Sequence, residues 1–160
     1  MKTWRYPIVA ILCLWMAGGC QQTLAPKIAI FDAVPDFLIV SVACLGLLSA
    51  RYASSLVGFL AGVIHGCLAG ANLAAYAISR TFTGFLTGWF NSFELEANVL
   101  VAFATTFVAT LVAQLLLMFI APPQEIGAFL LATIATAIYN GVIAVPVYAL
   151  LKRIVDPPQR

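Results

Sequence analysis

An all-α polytopic membrane protein, a bundle of about six transmembrane helices with short loops, is the fold this sequence predicts. Of its 160 residues 63% are apolar and 9% are charged, against roughly 45 to 50% and about 25% in a soluble domain. The second observation is spacing: long apolar runs are interrupted at intervals by short polar or proline-bearing stretches. Six spans of about 20 residues each leave no room for a folded domain outside the bilayer. A soluble enzyme is excluded, and so is a receptor with a sizeable head within these 160 residues. The net charge of +2 is too small and too scattered to imply nucleic acid as a partner.

The first predicted helix covers 6–24. Lys2 and Arg5 precede its apolar run, as in a secretory signal peptide, and the segment Ala17, Gly18, Gly19, Cys20 resembles a lipobox. A lipobox takes a large aliphatic where Ala17 stands, and more membrane follows, so an uncleaved helix is the reading adopted. A polar linker carrying Lys27, Asp32 and Asp36 separates it from the second helix, 35–50. Pro35 suits the first helical turn, where its missing N–H costs nothing, and Asp36 in that turn is favoured by the helix dipole. Arg51 and Tyr52 form a basic and aromatic pair suited to a membrane interface.

Helices at 54–70 and 72–90 follow with a tight turn between them. A polar patch with Glu94 and Glu96 then leads into 97–120, the clearest apolar run. Pro122 and Pro123 end that helix and open the last, 124–151, in which Pro146 is expected to introduce a kink. With six spans, Lys2, Arg5, Arg51, Lys152, Arg153 and Arg160 gather on one side and Lys27 alone on the other. The positive-inside rule then makes both termini cytoplasmic.

Gly58, Gly62, Gly66 and Gly70 recur every fourth residue, which winds a side-chain-free stripe along one helix face. Gly84 and Gly88 answer on the next helix. Such faces allow close backbone approach in lipid, either within the bundle or against a docked partner. His65 and Asn72 border the stripe and are expected to face away from lipid; a bonded neutral imidazole and a proton relay are both open for His65. Arg80 lies inside a span, where a charge is costly. Snorkelling, pairing with a carboxylate (Asp36 towards one face, Glu94 or Glu96 towards the other) and binding an anionic ligand are its three readings. Thr106, Thr110 and Gln114 on the fifth helix and Asn140 on the sixth read as hydrogen-bonding clips between helices. Cys13, Cys20, Cys44 and Cys67 have neither CxxC nor metal-ligand spacing and read as small packing residues. With no nucleophile and base pair, phosphate loop or metal cluster, neither an enzyme nor a cofactor is expected.

The stretches PDFLIV at 35–40, GFLAGVIHGCLAG at 58–70, ANLAAYAISRTFTGFLTGWF at 71–90 and VPVYALLKRI at 145–154 resemble the rod shape-determining protein MreD family in order and spacing. Many members carry an acidic residue near the end of the second stretch, where this chain has His65 and Gly66. That resemblance implies a non-enzymatic scaffold of cell-wall elongation in the bacterial inner membrane, multi-pass, maintaining rod shape. Its implied partners are MreC, the SEDS-type glycosyltransferase RodA and a class B penicillin-binding transpeptidase, met through intramembrane helix faces. The alternative is the substrate-binding component of an energy-coupling-factor vitamin transporter, similar in architecture, with Arg80 and His65 lining the pocket.

Overall fold

The computed structural model describes residues 5–30, 33–70, 72–91 and 98–155. Six α-helices follow in order: α1 (Arg5–Thr23), α2 (Phe37–Gly46), α3 (Arg51–Ala69), α4 (Leu73–Phe90), α5 (Val99–Ile120) and α6 (Ile126–Val155). A single 3₁₀ turn, Ala25–Lys27, follows α1. The one extended pairing among the described residues is an isolated bridge between Ile30 and Ala33.

The protein is a membrane helical bundle. α3, α5 and α6 are long and apolar enough to cross a bilayer. α1 and α4 reach 19 and 18 residues, and α4 admits more polar groups because its inner face carries Ser79, Arg80, Thr83 and Thr87. Large apolar side chains point outward, Trp15, Leu100, Phe119 and Leu131 among them, while the buried set is rich in Ala, Gly, Thr and Ser. In lipid, small and hydrogen-bonding residues hold helices together, since apolar side chains gain little by leaving hydrocarbon for each other.

α2 departs from the expected second span. Its 10 residues rise only about 15 Å, half of the roughly 30 Å hydrocarbon core. Asp36 stands outside the helix as its N-cap, its side chain accepting from the Ile39 N–H, so Pro35 precedes the cap instead of opening the first turn. At the other end Leu47 caps, and Ala50, extended at ψ 152°, restarts the chain as α3. Every α2 residue from Leu38 to Gly46 is buried, and α2 packs against the other five helices. It is the central pillar of the bundle.

α3 and α4 form the tightest pair. A β-carbon on Gly62 would lie 2.6 Å from Ala77 Cα, one on Gly66 2.8 Å from Leu73 Cα, and one on Gly88 2.6 Å from Arg51 Cα. On Gly58 and Gly84 it would collide with the carbonyls of Arg80 and Ser54. Gly70 differs from the other stripe members: nothing lies within 4 Å of its Cβ position, and its φ of 57° makes it the left-handed C-cap of α3. Asn72 and Asn98 cap α4 and α5 through their side chains. α6 is helical throughout, Pro146 included.

Candidate functional site

The side chains with the greatest chemical capacity meet inside the bundle, between its middle and the end that holds the α1 C-terminus and the α3 to α4 turn. Asp36 is delivered there by the start of α2, His65 by the last turns of α3, Arg80 by the second turn of α4, and Asn140 by the middle of α6. Arg80 Nη2 donates to Asp36 Oδ2 at 2.8 Å, with both residues buried. Arg80 Nη1 donates to Ser79 Oγ at 3.1 Å, and Ser79 in turn donates to the Ala113 carbonyl of α5 at 2.6 Å. Arg80 therefore ties α4 to α2, and Ser79 ties it to α5.

Asp36 divides its work between its two oxygens. Oδ1 accepts from the Ile39 N–H at 2.9 Å, capping α2, while Oδ2 takes the guanidinium. Its own backbone N–H donates to Asn140 Oδ1 at 2.8 Å, and Asn140 Nδ2 donates to Thr110 Oγ1 at 3.1 Å. Thr110 Oγ1 in turn donates to the Thr106 carbonyl at 2.8 Å. From α1, the Gln21 amide holds both sides of the cap, donating to the Pro35 carbonyl and accepting from the Phe37 N–H. All six helices thus contribute to one connected polar network.

His65 sits at its edge. Nδ1 is 3.5 Å from Asp36 Oδ2 and 3.5 Å from Arg80 Nη2, the outer limit of a hydrogen bond. The imidazole stacks on the Tyr76 ring at 4.6 Å between centroids, and the Arg80 guanidinium lies 5.3 Å from that ring. A cation over an aromatic face gains most where water is excluded.

Of the three readings of Arg80, the observed geometry is the carboxylate pair. Snorkelling is excluded because the residue is 1% exposed. Both Nη atoms are occupied, while Nε is buried without a partner. Glu94 and Glu96, the other candidate partners, lie outside the described residues. Asn72 is exposed at the start of α4, where its side chain accepts from the Ala75 N–H and caps the helix. Gln114 is half-buried with Oε1 unpaired, and the Thr106 hydroxyl is unpaired too. Ser79, Tyr76 and Gln21 were not singled out from sequence. Tyr76 stands one turn before Arg80, a signal that was present; nothing local marks Gln21, whose role depends on the return of α2 beside α1.

Chemically, the arrangement holds an ion pair out of water and links it to every helix. Among the described residues no cluster of His, Cys, Asp and Glu has the geometry of a metal site. Comparison with known proteins adds one finding: residues 2–153 match the family model described as 5TMR of 5TMR-LYT, a five-transmembrane receptor domain of LytS-type histidine kinases. No curated protein and no solved structure matches. The match overturns the expected MreD membership, which rested on four short apolar stretches, two of them glycine-rich in a way that unrelated membrane bundles share. The grounds for cell-shape function and for MreC, RodA and the transpeptidase as partners go with it. The likeness to vitamin-transporter components has no matching structure behind it either.

Proposed function

The chain belongs to the family described as 5TMR of 5TMR-LYT, and on that premise we propose that it is a membrane-embedded receiver domain, not itself catalytic, which passes a stimulus to a histidine kinase by moving its helices. The family match over residues 2–153 is the observation that carries the reading. Five helices of 18 residues or more around one short central helix suit a five-span domain.

A receiver needs an element with two arrangements whose balance a stimulus can bias. The Arg80–Asp36 pair supplies a marker of one arrangement, since sliding α4 past α2 separates a 2.8 Å contact in a buried setting. The basic residues Arg5, Arg51, Lys152 and Arg153 at the opposite end of the bundle support, by the positive-inside rule, a cytoplasmic location for that end. The polar network then lies towards the outer face, and α6 runs back to the cytoplasmic side, where a kinase core works.

Affinity capture in mild detergent, followed by mass spectrometry, tests the reading. A histidine kinase core should be captured with the chain or prove continuous with it. Capture of peptidoglycan synthases alone, or of transporter ATPase subunits alone, overturns it.

A further inference from the structure

His65 is the single histidine of the chain, and its ring stands against the Arg80–Asp36 pair. Nδ1 lies 3.5 Å from a donor on α4, Arg80 Nη2, and 3.5 Å from an acceptor at the start of α2, Asp36 Oδ2. One nitrogen thus faces two partners of opposite kind, and its proton decides which of them it can bond. Without a proton, the Nδ1 lone pair accepts from Arg80 and has nothing to offer a carboxylate. With one, Nδ1–H donates to Asp36 and the charged ring repels the guanidinium.

Access separates the three groups. The Arg80 and Asp36 side chains are 1% and 6% exposed, whereas that of His65 is 14% exposed. His65 stands four positions before Ala69, the last residue of α3, about 6 Å from the helix end. A proton arriving from this end therefore meets the imidazole before the ion pair. Of the three side chains, only imidazole ordinarily changes charge between about pH 5 and 8. The ionisable groups facing it from α2 and α4 are Asp36 and Arg80, opposite in sign, and Tyr76. α1 packs on α3 here through Gly18 and Gln22; it carries Cys20 near this end, and its one charge, Arg5, stands at the far end. Lys27 and Glu125 share this end of the bundle and are exposed.

The exchange of partner has a mechanical consequence. Stacking on Tyr76 at 4.6 Å holds the ring in place, and a charged ring gains further from that face, so the proton changes the bond and leaves the ring where it is. Asp36 Oδ1 is committed to the Ile39 N–H, which leaves Oδ2 as the oxygen that two cations must contest. α3 and α4 are fitted backbone to backbone at Gly58, Gly62 and Gly84, whereas Asp36 is joined to α6 through Asn140. The contested oxygen therefore lies on the seam between the α3–α4 pair and the α2–α6 pair.

We propose that His65 is a proton-operated switch: neutral, it accepts from Arg80 and leaves the α4–α2 ion pair closed; protonated, it takes Asp36 Oδ2 and displaces the guanidinium, exchanging an α4–α2 tie for an α3–α2 tie. The inference rests on the receiver reading only in naming the proton as a stimulus. Its test uses the chain alone, without a kinase, so failure of the switch and failure of kinase capture are separate results.

Nitrogen NMR of the full chain in lipid nanodiscs, labelled with ¹⁵N-histidine and ¹⁵N-arginine, is the test. The single histidine needs no assignment, and Arg80 is the one buried arginine among the described residues. At about pH 8 an unprotonated Nδ1 is expected together with separate, rotationally restrained Nη signals from Arg80; by about pH 5 an imidazolium should form and the Nη2 restraint should be lost in step with it. His65→Gln, whose amide oxygen still accepts from Arg80, should keep the restrained signals at both pH values. An imidazole that stays neutral down to about pH 5 overturns the proposal, as does one that protonates while the Arg80 signals stay unchanged. Both of those outcomes are read on the unaltered chain and hold even if the variant does not fold. Loss of the Arg80 restraint on acidification of folded His65→Gln also overturns it.

Discussion

Arg80 and Asp36, 44 positions apart, place Nη2 and Oδ2 2.8 Å from each other inside a bundle where neither side chain reaches solvent. The cost of taking two charges out of water is large, and attraction in a medium of low dielectric offsets it only when further hydrogen bonds complete the site. They do so here: Ser79 takes the second Nη, and the Ile39 N–H takes the second carboxylate oxygen. One member cannot be removed without stranding the other.

Arg80→Met is therefore expected to destabilise the protein by about 3–5 kcal/mol, because Asp36 is left as an uncompensated buried charge. Asp36→Asn alone strands the guanidinium, though it preserves part of the α2 cap. The double variant should fall short of the summed single effects by about 0.5–3 kcal/mol, the coupling expected of residues in direct contact. Thermal unfolding in mild detergent measures all three. Strict additivity would mean that the two charges do not interact.

Asn140→Leu removes the acceptor for the Asp36 N–H and the donor to Thr110 together. A buried N–H without an acceptor costs about 1–3 kcal/mol; Thr110→Val strands the Asn140 Nδ2–H, but a side-chain amide can turn towards another acceptor, whereas the Asp36 backbone N–H is fixed by the start of α2. Asn140→Leu should thus lower the melting temperature more than Thr110→Val, and the reverse order would show that α6 does not support the Asp36 cap.

Much of this was legible in the sequence, and the part that was not has a physical reason. The apolar excess and the breaks at Pro35, Gly70 and Pro122 marked out helices, and Arg80 announced itself as a charge needing a partner. Asp36 was one of three candidate carboxylates because pairing across 44 residues depends on the return path of the chain, which periodicity does not encode. The shortness of α2 was hidden because apolar residues continue past Gly46. The helix ends where Leu47 and Leu48 turn towards Ala50, and no proline or charge marks that stop. The family escaped for a related reason: stripes of glycine report close helix contact and say nothing of what the bundle serves.

The glycines separate by surroundings rather than by motif. Gly58→Ala would drive a methyl group into the Arg80 carbonyl, backbone that cannot give way without parting α3 from α4. A loss of about 1–3 kcal/mol is expected, in the range of overpacked cores. Gly70→Ala meets no atom within 4 Å but forces a side chain to φ 57°, at about 1–2 kcal/mol. Gly19→Ala, with open space around it and no positive φ, should be neutral or mildly stabilising. Unfolding midpoints of the three variants check the order, and equal effects would sink the close-contact account of Gly58.

Orientation is open to a direct measurement. α1, α3 and α6 bring Arg5, Arg51 and Lys152 to one end, and Glu125, ahead of α6, belongs to the other. The native Cys67 is exposed near the α3 C-terminus, so it must first be replaced, along with Cys13, Cys20 and Cys44. Single cysteines at Tyr52 and at Glu125, both exposed, then report opposite ends. In intact cells a membrane-impermeant maleimide should label Glu125→Cys and spare Tyr52→Cys until the membrane is permeabilised, because basic residues are retained in the cytoplasm. Reversed labelling would move the Asp36, His65 and Arg80 network to the cytoplasmic half, and the stimulus would then have to arrive from within the cell.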